Sequence, residues 1–272
     1  MVDFSKIYIS ALLLPFCLSL AGLALIRFFA GEGLGHALAS VAVSIAFLTG
    51  FLIHFGLPAL PPAQTFEKLF FLTLVAAGYG LLQDRFPRFP LLSSLIKTAF
   101  PVITVFWMVG HTEQYPLTLA EYRGLAVLTI LGTGLFFKME KDWENGLDIS
   151  RNLLGFALGL LAVSWSFGHV AIWTSAMIIA AALGGYMAAG LYRQVFPFGA
   201  AAFYPAYIAV LGSSVDLLAR EEAALPALLV LCAVFYSQDI TERLPLNMRH
   251  GVKGTLMLAV ILLVVLALAQ FG

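Results

Sequence analysis

The sequence predicts an all-α protein, a polytopic transmembrane bundle of about ten helices. Three observations carry this. Of 272 residues, 61% are hydrophobic and 11% charged, against roughly 45–50% and about 25% in globular domains. That is too little charge to cover a water-facing surface, so lipid must be part of the solvent. Apolar runs of about 20 residues, the length that crosses a bilayer, recur along the chain. Lys and Arg gather in alternate connections between those runs. The mean hydropathy of +0.95 fits the same class. A formal net charge of zero leaves no basic footprint for nucleic acid. The two cysteines, Cys17 and Cys232, lie in apolar runs without a CxxC spacing and read as small packing residues.

The first run, residues 7–29, is longer than the apolar segment of a signal peptide and ends at Arg27. It reads as a retained membrane helix. Runs at 36–57, 90–110, 197–219 and 252–271 also reach full spanning length. Three others, 67–83, 119–137 and 224–237, have apolar cores of only about 12–14 residues, which suits either a span or a re-entrant piece. The block from Leu153 to Tyr192 is about twice one span and carries "SWSFGHVAIW" near its middle. A tight turn there divides it into 153–168 and 170–192.

Charge tests that count of ten. With ten helices, one side collects Arg27, Arg85, Arg88, Lys138, Lys141, Arg151, Arg193, Arg243, Arg249 and Lys253. The other collects Lys6, Lys68, Arg123 and Arg220, and Lys97 falls inside a helix. Merging 153–192 into one helix, or deleting 224–237, evens the tally to seven against seven. Only ten helices give a positive-inside bias, and that places both termini outside in a bacterial-type inner (plasma) membrane. Connections are short, so 1–272 forms one membrane domain. Ten helices also divide into five plus five of inverted topology. The Pro-rich, aromatic connections "HFGLPALPPAQTFEK" and "YRQVFPFGAAAFYP" then correspond, although the halves share negligible residue identity. Small-residue faces, Gly155 with Gly159 and the run "AAALGGYMAAG", suit close helix packing in lipid.

Ionisable groups at membrane depth are costly and point to function. The topology sets His54, His111 and His169 on the outer side, with Glu113 beside His111 in "HTEQ". Imidazoles with a carboxylate suit a transition metal, and histidines also carry protons near neutral pH. The spacing matches no metal motif, so convergence of these four residues is an expectation about the fold. Asp216 lies in helix eight about one turn before Arg220, with Ser213 three residues earlier on the same face. It can hold a proton or cation, or pair with Arg220. Lys97 lies about two turns into helix four, followed by Pro101. Pro15, Pro101 and Pro205 interrupt apolar runs and predict kinks or freed carbonyls.

No GxSxG, HExxH, Walker A or GxGxxG motif is present, and no motif indicates a cofactor. The expected function is a small transporter or permease for a solute or ion. Its site lies between helices four and eight, with Asp216, Ser213 and Lys97 as the polar elements. One alternative is a non-catalytic membrane subunit that assembles with protein partners. Another is an intramembrane enzyme or a metal- or haem-binding protein using the outer histidines.

Overall fold

The computed structural model describes residues 7–62, 64–85, 90–110, 119–141, 146–190, 198–242 and 250–271. All regular structure among them is helical. A π-helical turn at Tyr8–Leu13 leads into α1 (Leu14–Ala39). Then follow α2 (Val41–Phe55), α3 (Thr65–Arg85), α4 (Pro90–Val109) and α5 (Leu119–Lys141). The second half has α6 (Gly146–Ser166), α7 (Val170–Gly190), α8 (Ala200–Arg220), α9 (Leu225–Cys232), the short α10 (Ser237–Glu242) and α11 (His250–Phe271). Among the described residues, five segments are long and apolar enough to cross a membrane: Tyr8–Phe29, Thr65–Arg85, Asp148–Ser166, Val170–Gly190 and Ala200–Arg220.

Three boundaries differ from the sequence expectation. The first helix does not stop near residue 29; α1 continues to Ala39, and α2 starts at Val41 rather than 36. The glycines at 31, 33 and 35 read as a loop but cost a helix only about 1 kcal/mol each. The segment 146–152, expected as a solvated connection, is the first two turns of α6, where Arg151 pairs with Asp148 at 3.0 Å. The run 224–237 is broken into a 3-10 turn at Glu222–Ala224, α9, and a second 3-10 turn at Ala233–Tyr236. Pro101 and Pro205 lie inside α4 and α8 as expected. Pro15 instead marks the junction where π-helix gives way to α-helix, where its missing N–H costs least.

The division of 153–192 is built by a short motif. α6 closes with the N–H of Gly168 on the Trp165 carbonyl (3.0 Å) and that of His169 on Ser164 (3.0 Å), the two bonds of a Schellman cap. Gly168 takes φ +74°, which only glycine adopts freely. The His169 carbonyl then accepts from Ile172 and Trp173, both at 3.1 Å, and starts α7. Trp165 and Trp173 meet edge to face at 5.1 Å across the turn.

At the centre is α8. Every residue from Ala200 to Leu218 is buried, and α2 to α7 all pack on it. The α3–α8 contact is the most extensive. As numbers rise on α3 they fall on α8: Leu69 lies against Gly212, Tyr79 against Tyr204 (5.3 Å between rings), and Gly80 against Ala200. The pair is therefore antiparallel. α4 runs parallel to α8, with Phe100 stacked on Tyr204 at 6.3 Å and Met108 beside Gly212. α5 and α7 run antiparallel to it, through Phe136–Phe203 (5.2 Å) and Tyr186–Phe198 (5.0 Å).

Glycines permit the closest approaches. A Cβ at Gly80 would lie 2.4 Å from the Ala200 carbonyl oxygen, and one at Gly185 2.4 Å from that of Phe16. Gly155 and Gly159 receive Leu258 and Leu231. Buried Thr73, Thr104, Ser164 and Ser175 return their hydroxyls to their own helix carbonyls, while Phe28, Phe106, Ile130 and Leu263 face outward.

Candidate functional site

The two ends of the α3–α8 pair carry different chemistry. At the end that holds Asp216, α8 finishes its last turn with the carboxylate turned inward, 4% exposed. Arg220, one turn on, donates from Nε to Asp216 Oδ1 at 2.9 Å. Ser213 lies on the same face, and its hydroxyl meets that of Ser175 on α7 at 3.3 Å.

Lys68, in the first turn of α3, is 6% exposed. Its ammonium donates to the carbonyls of Trp107 (3.2 Å), Met108 (3.5 Å) and Gly110, at the end of α4. Helix ends leave such carbonyls without intrahelical donors, and the macrodipole favours a cation there. Lys68 and His169 both lie within electrostatic reach of Asp216. His169 Nε2 stands 3.5 Å from Glu221 Oε1. That is an electrostatic pairing rather than a hydrogen bond, and the buried Nε2 has no hydrogen-bond partner among the described residues. Lys68, Arg220 and His169 thus all act on the one buried carboxylate, Asp216.

At the opposite end, the α8 N-terminus is capped by another helix. Asp84, near the end of α3, accepts from the backbone N–H of Ala200 (2.9 Å) and Ala201 (3.0 Å). Next to it, the Tyr204 hydroxyl donates to Gln83 at 2.9 Å, and the Ser44 hydroxyl donates to the Ala201 carbonyl. Lys97 pairs with Glu140 on α5, and Lys138 reaches Asp239 at 2.7 Å. Between the two ends, Tyr79, Phe100, Phe136, Phe203 and Tyr204 fill the space with packed rings. A cavity beside α8, lined by Gly132, Phe156, Tyr207, Ser214, Cys232 and Phe235, has room for about one water.

Of the residues expected to form the site, Asp216 and Ser213 lie together, and His169 is near them. Lys97 is not with them. It is three residues before Phe100, which stacks on Tyr204, and Asp216 is three turns beyond Tyr204 on the parallel helix. The separation is roughly 20 Å along the helix axis, and Lys97 is engaged by Glu140. His54 shares a 2.8 Å hydrogen bond with Ser10. His111 and Glu113 lie outside the described residues. Among the described residues no three His, Cys, Asp or Glu side chains come together as a metal site.

Sequence reading missed Lys68 and Asp84. Both look like rim residues at the ends of a short apolar segment. The signal that could have found them is their spacing with Leu72, Ala76 and Gly80: positions 68, 72, 76, 80 and 84 recur every fourth residue, the row along which helices pack.

Comparison with family models, with curated proteins and with solved structures returns no match.

Proposed function

We propose that the chain is a multi-pass protein of the inner (plasma) membrane that works as a small secondary transporter, moving a solute or ion past Asp216. One observation carries the reading: a carboxylate and an ammonium, Asp216 and Lys68, are both buried at one end of a helix fully enclosed by six others. Charges at membrane depth are expensive to keep, and where kept they commonly line a substrate or proton path. A purely structural role for α8 would be served as well by apolar side chains, which avoid the desolvation of an ion pair.

Two further features support it. The Lys/Arg tally sets the Asp216 end outside, where Arg220, His169 and Glu221 form a partly exposed approach to the buried carboxylate. α3 and α8 are also the third helices of the two five-helix halves, and they pack antiparallel at the centre. An inverted repeat places its equivalent helices in this way, about an axis in the membrane plane.

The test is transport by the purified chain in proteoliposomes loaded with a pH-sensitive dye. Amines, amino acids, sugars and carboxylates are supplied in turn under imposed proton gradients. At least one is expected to drive proton movement, and Asp216→Asn is expected to abolish it without loss of the folded protein. If no class drives movement in either direction, or Asp216→Asn transports as the wild type does, the reading fails.

A further inference from the structure

At the Asp216 end, three backbone carbonyls converge on one ammonium. α4 stops at Val109, and its last carbonyls have no donors within the helix. The Lys68 ammonium supplies three N–H groups and meets the three oxygens of Trp107, Met108 and Gly110. The negative end of the α4 macrodipole and the Asp216 carboxylate add to the same field. Helix-terminal carbonyls with a carboxylate close by are the donor set with which discontinuous membrane helices hold a free monovalent cation.

We propose that this is a monovalent-cation site whose resident cation is the side chain of Lys68. The ligand class it fits is a small ammonium ion, and the chain supplies that ion covalently from α3. The site stands on the geometry alone; its role in coupling rests on the transport reading. A tethered cation cannot be released, so the only ion that can leave is its proton. Asp216 is a carboxylate within electrostatic reach of that ammonium.

Among the described residues, Glu67 precedes Lys68 on α3 and Glu222 follows Glu221. Arg220 comes from α8, His169 from the α6–α7 turn, and Glu221 lies behind His169. Residues 98–110 of α4 and the first four turns of α7 contain no ionisable side chain. From α5, Tyr122 and Arg123 are exposed, and from α2, His54 bonds to Ser10. Among the described residues, His169 is the titratable side chain toward the exposed rim that acts on Asp216, and Glu221 stands beside it.

The test removes the tether and offers the ion. Full-length Lys68→Ala protein in nanodiscs is melted in methylammonium chloride and in choline chloride at equal ionic strength. Methylammonium is expected to raise its melting temperature by about 3–5 °C over choline, while the wild type and Lys68→Met respond equally to both salts. A Lys68→Ala protein that responds to methylammonium no more than to choline overturns the proposal. A second measurement needs no alanine variant. In wild-type protein labelled with ¹⁵N-lysine, one ammonium signal should be protected from solvent exchange, and it should vanish in Lys68→Gln, which keeps two donors for the same carbonyls. Absence of a protected signal also overturns the site. Methylammonium rescue without any transport leaves the site standing and removes its coupling role; transport without rescue does the reverse.

Discussion

The carboxylate of Asp84 on α3 holds the first residue of α8, accepting the backbone N–H of Ala200 at 2.9 Å. Its other oxygen takes the N–H of Ala201. The N-cap position itself is Gly199, which has no side chain to satisfy these donors, and a Cβ there would lie 2.7 Å from Asp84 Oδ2. Asp84→Ala is expected to destabilise the protein by about 1–2 kcal/mol, the usual cost of losing a helix cap. Asp84→Asn keeps an acceptor and should lose less. Thermal unfolding of the purified chain checks both.

Gly80 and Gly78 make a matched pair on α3. A methyl group at Gly80 would collide with the Ala200 backbone, whereas one at Gly78 meets nothing within 4 Å. Gly80→Ala should separate α3 from α8 and cost about 1–3 kcal/mol by overpacking. Gly78→Ala should be neutral or stabilise by up to about 1 kcal/mol through helix propensity. Equal melting temperatures for the two variants would contradict the close α3–α8 approach.

Gly168 sets the position of His169. Its φ of +74° disfavours any side chain, so Gly168→Ala is expected to cost about 1–2 kcal/mol. It should also loosen the Schellman cap that aims His169 toward Glu221. The ¹H–¹⁵N spectrum of histidine-labelled protein should show the His169 signals shifted and broadened, with those of His54 unchanged.

Lys97 and Glu140 are joined across α4 and α5, and each side chain is at most 20% exposed. Removing one partner leaves the other charge poorly solvated. Lys97→Met and Glu140→Gln are each expected to destabilise. The double variant should lose less than the sum, with a coupling of about 0.5–3 kcal/mol. Additive losses in a double-mutant cycle would mean that the pair makes no net contribution.

How much of this was legible in the sequence follows the distance over which each feature is decided. The turn near Gly168 and the Asp216–Arg220 pair depend on neighbours within a few residues, and both were readable from "SWSFGHV" and "SSVDLLAR". The partners of Lys97, Lys68 and Asp84 are 43, about 40 and 116 residues away. No local pattern specifies which charges meet across such gaps. Lys97 was expected beside Asp216 because both are charged residues in facing helices; their relative height was fixed only by the stacking of Phe100 on Tyr204. The length of α1 was missed for another reason: glycine weakens helix propensity, but packing decides whether the helix continues.

The enclosure of α8 bears on the order in which the chain is built. On the transport reading, α8 enters the bilayer with Asp216 and Arg220 in its last turn, where a charge costs less than the ~2.5–3.5 kcal/mol it costs at a helix centre. Here Asp216 and Arg220 sit one turn apart and leave the ribosome already able to neutralise each other. Lys68 finds its carbonyls on the next helix made, and Lys97 finds Glu140 in the same manner. Each of these charges has a partner in its own helix or the one synthesised next, before the bundle closes. The Asp84 cap must wait for α8 to arrive, and the Lys138–Asp239 pair for α10.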